Sequence, residues 1–292
     1  MGARRKITIL LHERDAYPDA KGYFIWALCD LWRREGVEIE VLKGPGKVVV
    51  ADLLIPHIDL TVLPEAYVDV FNSYPRVVNR HVRDISKRLI SRNLVTRTDS
   101  YDGPVIVKTN LNYGGIPEAR LIETPLAPPG KKTWWDRFRR HKRKRSPDQD
   151  WASIRSLKPS DYPIFPSLKE VPEAICANES LVIERFLPEF ENGFYHLRIY
   201  QFFGGRGYCV RLGSREAVVK MKSVVSREEL AVPDEIVALR RDLGLDYGKM
   251  DFVIRDGRVV LLDVNRTPGL ISPSKRMQAS ALRLAPGLNE FF

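Results

Sequence analysis

The chain has 292 residues, 44% apolar and 29% charged, enough for a large core and a length that suggests about two domains. No apolar run approaches the roughly 20 residues of a membrane span, and MGARRKITIL lacks a signal-peptide core and has Lys6 where myristoylation requires Ser or Thr, so a cytoplasmic protein is expected. Cys29, Cys176 and Cys209 are odd in number, widely spaced and without CxxC, which supports neither a disulfide framework nor a zinc site. The net charge of +10 is concentrated: from Lys131 to Arg145 nine Lys or Arg stand against Asp136 alone, a local +8. That is one basic segment, whereas a nucleic-acid domain spreads basic and aromatic groups over a folded face.

Residues 1–79 read as a small α/β unit. ITILL is an apolar strand, and Tyr23, Phe24, Ala27, Leu28 and Leu31 recur at helical spacing before Gly36. VEIEVL, ADLLIP and DLTVLP are further apolar runs, so a partly parallel sheet is expected. His12, Glu13, Arg14 and Asp15 follow the first strand, where an open α/β sheet commonly meets ligand; a plain polar loop reads the same way.

From residue 80, Asp84 can cap a helix through Ile85, Leu89 and Ile90 that points Arg83, Lys87 and Arg88 away from its apolar stripe. PVIVKTN is a strand with Lys108 near its end, then Gly114 and Gly115. A Lys beside glycines can approach phosphate while backbone N–H groups add donors, although a surface Lys reads alike. Residues 123–178 are dominated by Pro, Lys, Arg and Trp and read as an insertion. Within it, TWWDRFRRHKRKR forms either a basic amphipathic helix for anionic lipid, nucleic acid or an acidic partner, or a solvated loop.

ESLVIERFLPEFENG is an apolar strand ending at Glu184, then a flat apolar stretch with a backbone edge suited to adenine, then Glu189 and Glu191, either able to accept from ribose hydroxyls. YHLRIYQFFGGRGYCVRLGS reads as two strands around Gly204-Gly205, with Arg198 and Arg211 on the arms for phosphate or carboxylate. Lys220 and Lys222 follow. Ser226 and Glu229 fit a capping box, and Pro233 opens a helix with Ile236, Val237 and Leu239 inward, closed by Gly244.

The last motif, KMDFVIRDGRVVLLDVNRTPG, is a hairpin around Asp256-Gly257. Lys249 and Asp251 share one face, as do Asp263 and Asn265. A two-residue turn would set Asp251 opposite Leu262, whereas a three-residue Arg255-Asp256-Gly257 loop brings all four polar groups together, and the latter is expected. Asp251, Asp263 and Asn265 then offer hard oxygens suited to Mg2+.

This hairpin, with an acid, a turn, then carboxylate-x-Asn and Pro-Gly, resembles the metal-binding hairpin of the ATP-grasp superfamily. The likeness extends from about Arg80 to Gly269, excluding the basic insertion. It implies an α/β (α+β) ATP-grasp fold: a pre-ATP-grasp domain at 1–79, a nucleotide-binding subdomain at 80–187 with the insertion at about 123–178, and a C-terminal subdomain at 188–292. It places Lys87 and Lys108 on phosphates and Gly114 and Gly115 in a flap. Glu184 falls near the adenine amine, Arg185, Phe186 and Leu187 along the base, and Glu191 on ribose. Lys220 or Lys222 reaches the terminal phosphate, and Arg198, Arg211 and Lys249 serve catalysis. Asp263 stands where many members have Glu, so one rather than two Mg2+ ions can bridge.

Members include D-alanine:D-alanine ligase, glutathione synthetase, biotin carboxylase and glutamate ligases acting on proteins. The resemblance implies an ADP-forming carboxylate-amine ligase using ATP and Mg2+, with a small-molecule or peptide carboxylate and an amine as substrates. Two other functions fit: a phosphotransferase acting on a polyanionic alcohol, like an inositol phosphate kinase, or a nucleotide-binding module tethered to an anionic surface or acidic partner through 131–145.

Overall fold

The first sheet is built from strands β1 (Lys6–Leu11), β2 (Glu38–Lys43) and β3 (Leu53–His57), all parallel in the order β2-β1-β3. The structure is a computed structural model and describes residues 5–16, 22–123, 150–269 and 275–292. The basic run at 131–145 lies outside the described residues. Strand β1 is buried almost throughout, as in a parallel sheet covered on both faces. Helix α1 (Ile25–Arg34) covers it through Ile25, Leu28, Cys29 and Trp32, a stripe rotated from the one the sequence suggested. Gly36, at φ 85°, ends the helix in the left-handed region that glycine enters freely. DLTVLP contributes no strand, only a single bridge from Val62 to Asp84. A short helix α2 (Glu65–Asp69) follows.

The middle sheet is antiparallel, β5 (Ile164–Phe165), β4 (Val105–Thr109) and β6 (Leu181–Arg185), with β4 central. Helix α3 spans only Lys87–Ile90, and Asp84 Oδ1 accepts from the Ser86 N–H ahead of it at 2.6 Å. Lys87 is 2% exposed and turned inward, against the outward direction expected from an amphipathic helix. The stretch read as an insertion is, from residue 150 on, part of this layer. Leu168, Val171 and Ile175 pack with Val105, Val107 and Ile183 in one core, because the prolines break long elements without removing apolar side chains.

The third sheet is made of β7 (Glu189–Glu191), β8 (Phe194–Phe203), β9 (Arg206–Ser214), β10 (Val224–Leu230), β11 (Tyr247–Arg255) and β12 (Arg258–Asn265). Its order is β10-β9-β8-β11-β12, with β7 also on β8. Ser226 and Glu229 therefore lie in strand β10 and not at a helix start, since pairing with β9 prevails over a local capping pattern. Helix α4 (Asp234–Asp242) buries Ile236 and Leu239 against this sheet. The C-terminal helix α5 (Lys275–Leu284) returns to the first sheet, where Ala281, Leu284, Ala285 and Leu288 join its core and Ala285 O accepts from Trp32 Nε1 at 3.0 Å.

Two side chains fix β11 and β12 relative to the first unit. Asn79, at φ 56°, exchanges four hydrogen bonds of 2.7–3.1 Å with Asp246 and Tyr247. Arg266 is buried and donates to the carbonyls of Val82, Leu60 and Thr61; burial lowers its pKa to about 10.

Candidate active site

The polar hairpin is built differently from the expected loop. Arg255 pairs with Arg258, so the turn has two residues, Asp256 and Gly257, both at positive φ. Continuous pairing from that turn would place Leu262 opposite Asp251. Instead the register shifts between Asp251 and Phe252: Phe252 pairs with Leu261 and Asp251 with Asp263. Leu262 is the extra residue of a β-bulge, and the bulge achieves what the longer loop was expected to do. Lys249 pairs with Asn265, and with the Met250–Val264 rung between them the two polar rungs put all four groups on one face of the hairpin.

Two lysines close on the two carboxylates. Lys249 Nζ lies 3.0 and 2.9 Å from the Asp251 oxygens. Burial alone would lower the Lys249 pKa, but Asp251, by charge and hydrogen bond, and then Asp263 raise it on balance. For Asp251 burial raises the pKa, Lys249 lowers it and Asp263 raises it again, for a net upward shift. Lys87 Nζ reaches Asp263 Oδ1 at 3.4 Å and Leu111 O at 3.3 Å. The neighbouring cations point elsewhere: Arg83 pairs with Glu65, and Arg88 donates to the carbonyls of Glu179 and Leu181.

Across from the hairpin, Lys108 Nζ forms a 2.6 Å ion pair with Glu184 Oε2. Glu184 is 1% exposed, and its Oε1 has no hydrogen-bond partner among the described residues. Lys108 also acts electrostatically on Asp251, which places it toward the hairpin. The stretch expected to line adenine follows, with Phe186 N–H bonded to Pro104 O at 2.8 Å, Phe186 and Leu187 half-buried, and the exposed Arg185 over the Tyr101 ring. Gly114 and Gly115 both have φ 75°, and a Cβ on Gly114 would meet Leu157 O at 2.3 Å, so this turn requires glycine.

Of the remaining candidates, Arg198 stands on β8 opposite Phe252, the residue after Asp251. Arg198 and Arg211 face each other across β8 and β9, and both turn to acids. Arg198 grips Glu189 through contacts of 2.8–3.1 Å, while Arg211 lies 2.9 Å from Glu191 and 3.0 Å from Glu228. Burial pushes Glu189 upward, but the bonds from Arg198 and the Ile254 N–H outweigh it and hold the carboxylate below its usual range. Lys220 lies 3.9 Å from Glu216, and Lys222 is exposed.

Tyr162 was not legible in the sequence. It lies among prolines with no periodic signal, yet its hydroxyl sits 3.5 Å from Thr109 Oγ1 and it interacts with Asp263, Lys108 and Glu184. Burial pushes its pKa up to about 12.

The donor set of the hairpin fits magnesium. Asp251 and Asp263 offer carboxylate oxygens, and Asn265 offers an amide oxygen that here accepts from the Thr267 N–H and hydroxyl at 2.7 and 3.2 Å; Mg2+ typically takes one or two protein carboxylates and completes its shell with phosphate and water. Among the described residues no cluster of three or more His, Cys, Asp or Glu forms a metal cage.

No protein-family model matches the chain, and no curated protein matches it. Solved structures similar to it include D-alanine–D-alanine ligase from Bacillus anthracis, at 12% identity and TM-score 0.47, covering 98% of this chain and 96% of that one. The RimK domain ATP-grasp protein from Sphaerobacter thermophilus is similar at 12% identity and TM-score 0.48, over 99% of each chain. Macrocyclase MdnB from Microcystis aeruginosa is similar at 13% identity and TM-score 0.45, again over 99% of each chain.

Proposed function

We propose that the chain is an ATP-dependent carboxylate-amine ligase of the ATP-grasp kind. The observation that carries this reading is the rung pairing of Asp251 with Asp263, closed by Lys249 and Lys87. Two opposed carboxylates at one level repel unless cations lie between them, and a site that alternates acid and ammonium suits a metal-bound triphosphate. In this reading Asp251, Asp263 and Asn265 would hold one or two magnesium ions. Magnesium, when bound, neutralises charge on the transferring phosphoryl group.

The protein's own groups do the rest. Glu184 to Leu187 offer the adenine slot, with Glu191 toward ribose. Lys108 and Lys87 hold phosphates, and Gly114 and Gly115 bring backbone N–H groups over them. Lys249 neutralises the oxygen that gains charge as the acyl group reacts. A carboxylate oxygen attacks the γ-phosphorus, the bond to the β,γ-bridging oxygen breaks, and ADP leaves. The amine nitrogen then attacks the acyl carbon, phosphate departs with the former carboxylate oxygen, and the amine proton passes to a base.

We read 1–79, 80–187 and 188–292 as the three working units, of which the last two grip the nucleotide. Among the described residues no helix is long and apolar enough to cross a membrane. Calorimetry with ATP tests the reading: tight binding that needs Mg2+ supports it, and no binding in either condition refutes it.

A further inference from the structure

Tyr162 is placed by the pairing of β5 with β4. Phe165 pairs with Val105 and Ile164 with Ile106, and the Val107 N–H donates to Pro163 O at 3.0 Å, so the same antiparallel register carried one residue further sets Tyr162 beside Lys108. Pro163 has no N–H to return to the ladder, which is why the strand begins only at Ile164. Alternation puts Tyr162, Lys108 and Ile106 on one face of the middle sheet, and Glu184, paired with Ile106 from β6, shares it.

The hydroxyl reaches on toward the polar hairpin. It lies 3.5 Å from Thr109 Oγ1, which donates to Leu111 O at 3.1 Å; Lys87 Nζ reaches the same carbonyl at 3.3 Å and Asp263 Oδ1 at 3.4 Å. These polar contacts lead without a break from Tyr162 on the middle sheet to Asp263 on the third. Thr109 gives its one proton to Leu111 O and can only accept from the phenol, and at 3.5 Å it holds the phenol weakly. Burial first, and then the charges of Asp263 and Glu184, keep the phenol protonated against the opposing pull of Thr109 and Lys108, so at neutral pH it is a donor.

We propose that the Tyr162 hydroxyl is a nucleotide-binding group, donating to one of the two phosphates that stay with ADP. This rests on the ligase reading and deepens it by assigning a phosphate contact to a residue outside the motifs. In that reading Glu184 marks the base end of the nucleotide and Asp263 the metal end, and Tyr162 stands between them beside Lys108. The transferring phosphate belongs at the metal end, so the phenol meets a phosphate nearer the base. A neutral donor there binds an anionic oxygen without adding a cation that Lys108 would repel.

Calorimetry on the full chain with Mg2+ and either ATP or ADP, and saturation-transfer NMR with adenosine, test this in wild type and in Tyr162→Phe, which keeps the ring and removes only the hydroxyl. Losing a hydrogen bond to a charged oxygen should weaken ATP and ADP by the same factor, about tenfold or more, while adenosine binding and the melting temperature stay near wild type. Thr109→Val removes the phenol's acceptor within the protein and should leave ADP affinity near wild type. Unchanged ADP affinity in Tyr162→Phe, an equal loss for adenosine, a loss with ATP but not with ADP, or a Thr109→Val chain that loses as much as Tyr162→Phe each overturns the assignment. Wild type that binds neither ATP nor ADP defeats the ligase reading and the assignment together, whereas nucleotide binding untouched by Tyr162→Phe defeats the assignment alone.

Discussion

Asp251 and Asp263 stand directly opposite each other on β11 and β12 because Leu262 bulges out of the ladder between the turn and that rung. The pairing creates a strongly anionic point that Lys249 and Lys87 partly neutralise. Replacing either acid with its isosteric amide keeps the strand but removes a hard oxygen anion. Asp251→Asn and Asp263→Asn should each cut Mg2+-dependent ATP turnover by about 100-fold or more, with near-native melting curves. Full turnover in both variants would sink the metal assignment.

Lys108 and Glu184 provide a test that separates folding from binding. Both are largely buried, so Lys108→Ala strands a carboxylate and should cost about 3–5 kcal/mol of stability as well as ATP affinity. Pairing Lys108→Met with Glu184→Leu removes both charges and should restore much of the stability without restoring ATP affinity. Denaturant titration and calorimetry read the two effects. Nucleotide affinity recovered in the double variant would assign the pair to structure alone.

How much of this was legible depends on how local each cause is. The hairpin and the common face of its four polar residues could be read because alternation and the Asp-Gly turn are local signals. The bulge could not, because nothing distinguishes Leu262 from Leu261 until β12 pairs with β11. Lys87 was read as outward because the sequence suggests a long amphipathic helix; the chain forms one turn, and contact with Asp263 decides the direction. Ser226 and Glu229 fit a helix cap locally, yet the free edge of β9 claims them. Asn79 gave no signal at all, since its four bonds go to residues far along the chain.

His57 sets an acid limit on stability. Burial lowers its pKa to about 3, while the unfolded chain takes the same proton at about 6.5. Its contribution is therefore fully present above about 6.5 and is lost as pH falls, at about 1.4 kcal/mol per pH unit down to about 3. His57→Phe, which keeps an aromatic ring between Tyr23 and Tyr247, should flatten the stability profile over that window. An identical slope in the variant and wild type would contradict this.

The basic run tests recruitment separately from chemistry. With Lys142, Arg143, Lys144 and Arg145 changed to Ser, ATP affinity should hold while binding to anionic vesicles falls. The wild-type interaction should weaken steeply with ionic strength, because exposed charges are screened beyond about 8 Å at physiological salt. Wild type that ignores such vesicles at low salt would leave the run as a solvated segment; loss of ATP affinity would favour a polyanion kinase.

In the proposed reaction ATP activates a carboxylate. The direct measurement is mass analysis of the phosphate released when the protein is given Mg2+, ATP, glycinamide and pools of amino acids, peptides and sugar acids labelled with heavy oxygen in their carboxylates. Inorganic phosphate carrying one heavy oxygen is expected, because the activated carboxylate oxygen leaves with phosphorus. Phosphate released without label, or label-free transfer of phosphoryl to an alcohol, would contradict it.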